Sequence, residues 1–178
     1  MNRNQKVLGD ERHQLIVSSL KKASEPITGR DLGDIMNVSR QVIVGDITLL
    51  KAKGEPIMAT SRGYIYIHPQ VAPKRIEKII VCNHTAKQTE NELNILVDNG
   101  ITVKDVKIEH PVYGDLTASV MVSNRNEVRI FIENIHKTNA SFLLQLTEGV
   151  HLHTIIADNE QEIENAEEAL RKADILVE

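Results

Sequence analysis

The sequence predicts an α+β protein of two domains: a helical N-terminal domain that ends in a β-hairpin, and a C-terminal domain in which strands and helices alternate. Three observations lead to this prediction. The apolar residues follow a helical period up to residue 53 and then alternate in two short segments. Strand and helix patterns follow one another from residue 75. Residues 1–70 carry ten Lys/Arg against seven Asp/Glu and residues 71–178 carry eleven against eighteen, which favours two domains with different partners, although the first excess is small enough to arise by chance.

The composition excludes several classes of protein. The chain has one cysteine, Cys82, so it forms no internal disulfide. It has no Trp, two Phe and three Tyr, which argues against recognition of single-stranded nucleic acid by stacking. No apolar run is long enough to span a bilayer, and the polar N-terminal residues lack the apolar core of a signal peptide. We therefore expect a cytoplasmic protein without a membrane partner.

The first domain, residues 1–70, is predicted to contain three helices. They cover residues 10–22, 28–36 and 39–53, and Thr28 and Ser39 cap the second and the third. The positions predicted to face the core are Leu15, Ile16, Leu20 and Ala23 in the first helix, Leu32, Ile35 and Met36 in the second, and Ile43, Ile47 and Leu50 in the third.

A hairpin is predicted after the third helix. Residues 56–59 and 64–67 alternate on either side of Ser61-Arg62-Gly63. Two helices, a tight turn at Asn37-Val38, a third helix and a hairpin follow the order of a winged helix-turn-helix domain. In that fold the helix after the tight turn enters the major groove of DNA.

The outer face of the third helix carries side chains that can read DNA. Arg and Gln contact base edges with two hydrogen bonds each. Gly45 lies in the middle of this helix, where glycine costs about 1 kcal/mol relative to alanine, and it either allows close approach to DNA or has no role. Arg62, at the tip of the wing, suits a phosphate or minor-groove contact. The predicted DNA-binding residues are Ser39, Arg40, Gln41, Val44, Gly45, Thr48 and Arg62.

This segment resembles the winged-helix domains of bacterial ligand-responsive repressors, so we expect double-stranded operator DNA as a partner. Members often carry a basic residue where this chain has Gly45. The alternative is a winged helix that contacts protein.

The second domain, residues 71–178, is predicted to follow a short linker at Val71–Pro73 as an α/β sandwich with an antiparallel-rich sheet. Capping pairs mark the starts of its three helices: Thr85 with Gln88, Asn124 with Glu127, and Asp158 with Gln161. The predicted strands cover residues 75–82, 103–109, 116–122, 142–146 and 150–157.

Histidines of this domain suggest a metal site. His151 and His153 are two residues apart in a predicted strand, so their side chains share one face. His84 follows another strand, and Glu92 is predicted near the middle of the next helix. Three imidazoles and a carboxylate suit a first-row divalent ion. Each histidine alone is more often a structural or exposed residue than a ligand, and the His151–His153 pair alone favours neither role. Nothing indicates a thiolate site unless Cys82 joins the set.

Five segments of this domain resemble the 3H domain, a family named for its histidines: Val81–Thr85, Glu90–Leu93, Val97–Gly100, His110–Leu116 and Gly149–Thr154. Together with the winged helix, the chain looks like the niacin-responsive repressors of NAD biosynthesis and niacin uptake genes. The resemblance implies a metal- and effector-binding regulatory domain with nickel or zinc at His84, Glu92, His151 and His153. It also implies nicotinic acid as co-repressor, with His110 and Tyr113 as candidate effector contacts.

Three hypotheses for function remain open at this point. The first is a co-repressor-dependent repressor that binds its operator as a homodimer, because dimers match palindromic sites. The second is a metal-dependent hydrolase fused to a DNA-binding module, for which Glu109 and Asp115 are the only candidate bases. The third is a repressor that senses only the metal.

Overall fold

The structure is a computed structural model that describes residues 9–67 and 75–177. The chain divides into two compact units, Met1–Val71 and Ala72–Glu178, and each is described by itself. The predicted linker Val71–Pro73 lies outside the described residues. Within the described ranges, no helix combines the length and the apolar character that crossing a membrane requires.

The first unit has the element order of a winged helix-turn-helix. Its elements are α1 (Gly9–Lys22), α2 (Gly29–Met36), α3 (Arg40–Ala52), β1 (Ile57–Thr60) and β2 (Gly63–Tyr66). Thr28 and Ser39 cap α2 and α3 as predicted, because their hydroxyl groups accept hydrogen bonds from the backbone N–H three residues on. The tight turn is made at Asn37, whose φ of 53° is left-handed.

The core of this unit confirms the predicted inner face of α3 and corrects two other positions. Ile43, Ile47 and Leu50 are buried together with residues of α1 and α2. Leu15 and Ile35 were predicted to be buried, but 40% and 66% of their surfaces are exposed. Each lies beside the buried stripe of its helix, which consists of Arg12, Ile16 and Leu20 in α1 and of Gly29, Leu32, Gly33 and Met36 in α2.

A buried ion pair joins α1 to α3. Arg12 Nε and Nη2 donate to the two carboxylate oxygens of Asp46 at 2.6 and 3.0 Å, and His13 Nε2 lies 3.1 Å from Asp46 Oδ1. Burial alone would raise the pKa of Asp46, but Arg12 and His13 hold it below its usual value. Since Asp46 is the only buried charged residue on α3, this pair sets how the helix is fixed against α1.

The second unit is a four-stranded sheet with three helices. The elements are β3 (Ile76–Asn83), α4 (Thr89–Asp98), β4 (Thr102–His110), β5 (Gly114–Val122), α5 (Arg125–Thr138), β6 (Val150–Ala157) and α6 (Glu160–Lys172). The strand order is β3-β6-β4-β5, and all neighbouring strands are antiparallel. The helices share one core with the sheet. The predicted α+β architecture is confirmed, and the final strand β6 lies inside the sheet.

The predicted strand at residues 142–146 is wrong. Leu143–Leu146 form a short 3₁₀ helix, and the side chain of Gln145 accepts a hydrogen bond from the backbone N–H of Phe142 at 2.8 Å. Periodicity does not separate strand from helix in so short an apolar run. The cap of α6 is also displaced by one residue from the prediction, because Asn159 accepts from the N–H of Glu162.

Replacing Asp46 with alanine should lower the free energy of unfolding by about 3 kcal/mol, because the buried guanidinium of Arg12 would lose the carboxylate that accepts two of its hydrogen bonds. Urea denaturation of the full chain measures this loss. Asp34→Ala is the matched control, since Asp34 is exposed on α2. Equal stability of the two variants would contradict the role given to the ion pair.

Candidate metal centre

The site is built on β6, the strand between β3 and β4. Alternation places His151 and His153 on the face that meets the helices, and both are almost fully buried. Their ring centroids lie 4.9 Å apart with the planes nearly perpendicular. The register sets His151 opposite Cys82 and His153 opposite Ile80 and Val106, so apolar neighbours flank the pair on both sides.

The side chains of His84 and Glu92 approach those of His151 and His153 from the segment that follows β3. His84 directly follows the strand, and its ring centroid lies 4.8 Å from that of His151. Gly149 makes this approach possible: its φ is +105°, and a Cβ there would lie 2.6 Å from the carbonyl oxygen of His84. Glu92 lies in the first turn of α4 rather than near its middle, because residues 86–88 form a separate 3₁₀ turn.

The four side chains predicted as ligands converge on one carboxylate. Glu92 is completely buried, with Oε2 2.8 Å from His84 Nε2 and 3.4 Å from His153 Nε2. Its Oε1 lies 3.1 Å from His151 Nε2. Three imidazole nitrogens therefore face a single buried carboxylate group.

Backbone carbonyl groups fix the proton on each imidazole. The Nδ1 atoms of His84, His151 and His153 lie 2.9, 2.8 and 2.8 Å from carbonyl oxygens of Thr85, Gly149 and Asp105. A carbonyl oxygen only accepts, so each Nδ1 carries hydrogen and donates it. In the neutral imidazole, each Nε2 then presents a lone pair towards Glu92. In metal sites, ligand histidines are oriented in the same way, by a hydrogen bond from the ring nitrogen that does not bind the metal.

This arrangement of acceptors requires a positive charge. Nε2 of His84 and of His153 are buried and make no hydrogen bond of acceptable geometry with any described residue. Burial would lower the pKa values of these two histidines, but the Glu92 carboxylate outweighs it and raises both. Burial would likewise raise the pKa of Glu92, but the histidines hold it well below its usual value. Protons or a cation can supply the charge, and nitrogen and oxygen donors of this kind suit nickel or zinc.

Cys82 borders the cluster without joining it as a thiolate. Its sulfur lies within 4.8 Å of ligand atoms of Glu92 and His151. Burial, and then the neighbouring Glu92 carboxylate, raise the pKa of this thiol far above its usual value. Without a metal ion, Cys82 therefore stays protonated beside the cluster, whose other donors are those of His84, Glu92, His151 and His153.

A cavity of about 260 Å³ opens beside the cluster. Glu92, His151 and His153 line one part of it. Its other walls come from α4, β4, β5, α5 and the 3₁₀ segment, through Thr89, Leu93, Val106, Ala118, Ser119, Val120, Phe131, Ile135, Ser141, Phe142, Leu143 and Leu144. No Lys or Arg is among these lining residues. A small, mostly apolar chamber therefore meets the histidine cluster.

His110 and Tyr113, the predicted effector contacts, do not line this cavity. His110 ends β4, and its Nδ1 accepts hydrogen bonds from the backbone N–H groups of Val112 and Tyr113. The Tyr113 ring lies against the imidazole and is largely exposed. Both residues organise the hairpin turn between β4 and β5. Three residues of the cavity wall, Thr89, Phe131 and Phe142, carry no sign of a binding role in the sequence.

The residues predicted to contact DNA lie at the start and on the outer face of α3 and in the hairpin turn. Ser39, Arg40, Gln41, Gly45 and Thr48 are exposed and Val44 is half-buried. Space is open around Gly45, so packing within the chain does not require glycine there. Arg62 lies in the hairpin turn but donates to Glu25 at 3.3 Å, so a contact with DNA would have to replace that ion pair.

Comparison with known proteins agrees with both halves of this description. A model of the HTH domain matches residues 12–65, and a model of the 3H domain matches residues 77–178. The chain belongs to the 3H domain family. It is 51% identical over 178 residues to the transcription repressor NadR of Bacillus subtilis, with 99% of both chains covered. It is 36% identical to the probable transcription repressor NiaR of Thermotoga maritima, with 97% of both covered.

These relatives decide the class of protein. The chain is a two-domain transcription repressor of the 3H type, with an N-terminal DNA-binding domain, and not an enzyme. Glu109 and Asp115 were the candidate bases of the hydrolase hypothesis. Glu109 and Asp115 face each other across the β4–β5 hairpin and do not line the cavity.

If the cluster holds a divalent ion, replacing both His151 and His153 with alanine should abolish stoichiometric metal in protein supplied with nickel or zinc, because two of the four candidate donors are lost. Mass spectrometry of the metal content after dialysis measures this. His110→Ala is the matched control and should keep its metal, since His110 lies in the hairpin. Metal retained by the double variant would refute the assignment of the ligands.

If the cluster binds a divalent ion, its uptake by the metal-free protein should release protons at pH values below the raised pKa values of the cluster's histidines. The pKa values of His84 and His153 are raised by Glu92, so protons occupy Nε2 at a higher pH than in free histidine and must leave before a metal binds. Affinity should rise with pH until these raised pKa values are passed, and proton release should then fall to zero. Calorimetry in buffers of different ionisation enthalpy measures the protons released. A pH-independent affinity without proton release would contradict the site.

Proposed function

We propose that this repressor binds operator DNA through α3 and senses nicotinic acid in its 3H domain, beside a divalent nickel or zinc ion held by His84, Glu92, His151 and His153. The observation that carries the proposal is the junction of the buried histidine–carboxylate cluster with a mostly apolar cavity. Nicotinic acid has the same two parts, a carboxylate and a flat aromatic ring.

The donor set supports a metal ion at the cluster. Three buried Nε2 atoms lie 2.8, 3.1 and 3.4 Å from carboxylate oxygens of Glu92, and two of them make no hydrogen bond with any described residue. The Nδ1 atom of each imidazole donates a hydrogen bond to a backbone carbonyl oxygen, which orients the ring. A bound cation supplies positive charge to a cavity that otherwise has none beyond these histidines.

The cavity supports a small aromatic acid as the effector. Its volume of about 260 Å³ suits a single ring with one substituent, and Phe131 and Phe142 offer aromatic walls, with their centroids 6.4 Å apart. A buried carboxylate must be paired with positive charge, and no Lys or Arg lines the cavity. We therefore expect the carboxylate of nicotinic acid at the histidine end and its ring among the apolar side chains.

The link between effector and DNA is thermodynamic. Nicotinic acid acts as a co-repressor only if it binds more tightly to the state of the protein that is competent for DNA. A homodimer would place two copies of α3 on the two halves of a palindromic operator. A role at operator DNA would place the protein in the cytoplasm. Arg40 and Gln41 supply the base-reading groups.

A binding experiment tests the proposal. Nickel- or zinc-loaded protein should protect promoter DNA of NAD biosynthesis and niacin uptake genes more strongly when nicotinic acid is present, and Arg40→Ala should weaken binding by about 1–3 kcal/mol. Arg129→Ala is the matched control, because Arg129 is exposed on α5 of the other unit. Footprints that do not respond to nicotinic acid would refute the effector, and footprints that respond to metal alone would favour a metal-sensing repressor.

A further inference from the structure

The hydroxyl group of Thr89 is buried and unsatisfied in the wall of the cavity. Only 6% of the residue is exposed, and Oγ1 makes no hydrogen bond with any residue in the described ranges. Thr89 is the first residue of α4 and lines the cavity together with Glu92. A buried hydroxyl without a partner destabilises a folded protein. Its position in a ligand-sized cavity indicates that a bound molecule completes its hydrogen bonding.

The spacing of Thr89 and Glu92 defines what such a molecule must offer. The two residues are three positions apart on α4, so they lie on the same side of the helix with Cβ atoms about 5–6 Å apart. One aromatic ring that carries a carboxylate can reach from the histidine cluster to Thr89. The positive charge lies at the cluster, so the carboxylate belongs there and the far side of the ring faces the hydroxyl.

In this orientation, the hydroxyl group of Thr89 contacts the ring of the bound molecule and not its carboxylate. A hydroxyl can donate one hydrogen bond, and the ring nitrogen of a pyridine is unprotonated at neutral pH and accepts one. A benzene ring offers no such acceptor. The hydroxyl would remain unsatisfied beneath it, and this mismatch weakens binding.

We propose that Thr89 is a specificity-determining residue whose Oγ1 donates a hydrogen bond to the ring nitrogen of nicotinic acid, and so selects a pyridine carboxylate over a benzene carboxylate of the same shape. This inference rests on the proposed function, because it assigns the ring nitrogen of the effector proposed for the same cavity. It adds a recognition element outside the metal ligands. The hydroxyl contributes to selectivity and not to the stability of the free protein.

Calorimetry with two ligands and three variants tests the inference. Nickel-loaded wild-type protein should bind nicotinic acid about tenfold more tightly than benzoic acid, the loss expected for one unsatisfied buried hydrogen-bonding group. Thr89→Val, which keeps the shape, should lose this preference through weaker binding of nicotinic acid alone. Thr89→Ser should keep it. Thr117→Val is the matched control, since Thr117 is exposed on β5 and does not line the cavity.

The possible outcomes separate this inference from the proposed function. If the wild-type protein binds neither acid, the proposed function falls and the inference falls with it. If it binds both acids equally, or if Thr89→Val keeps the full preference, only the assignment of Thr89 is overturned. Thermal unfolding without ligand is a second readout: the melting temperature of Thr89→Val should not be lower than that of the wild type, and a fall would indicate a structural role instead. The wild-type comparison of the two acids stands even if that variant does not fold.

Discussion

The second unit depends on one constraint, which is the buried negative charge of Glu92. Among the described residues, the side chains around this carboxylate that can carry a positive charge are imidazoles. Glu92 has no exposed surface, and its ion-pair partners among the described residues are His84, His151 and His153. Because carbonyl oxygens hold the proton of each imidazole on Nδ1, neutral rings would turn lone pairs towards the carboxylate. A buried charge without compensation is costly. The cluster must therefore hold protons or a cation, and it can exchange one for the other.

Two local features of the fold bring the histidines to Glu92. The central position of β6 brings two histidines under the helices, and left-handed Gly149 lets the chain around His84 approach the start of that strand. The same surroundings leave a cavity whose polar end is the cluster and whose remaining walls are mostly apolar. A repressor that senses a small acid needs both parts. Differential affinity between two states of the protein is then sufficient to connect the cavity to DNA binding, and the geometry of α3 need not change within its own unit.

Sequence patterns predicted the features that depend on hydrophobic periodicity and helix capping. They failed where individual side-chain hydrogen bonds or the walls of the folded cavity decide. Alternation placed His151 and His153 on one face, and Thr28 and Ser39 marked their helices. The segment 142–146 has apolar residues that fit a strand, but a side-chain hydrogen bond from Gln145 organises it as a 3₁₀ helix. His110 was expected at the effector because of resemblance, whereas its ring holds a hairpin turn. Thr89 gave no signal, since only the folded cavity shows that its hydroxyl has no partner.

X-ray absorption at the nickel edge of the nickel-loaded full chain tests the central claim most directly. The account predicts a first shell of nitrogen and oxygen only, with the scattering pattern of three imidazole rings and one carboxylate, because three Nε2 atoms each lie within 3.4 Å of a carboxylate oxygen of Glu92. A sulfur neighbour in the first shell, or fewer than three imidazoles, would contradict the account.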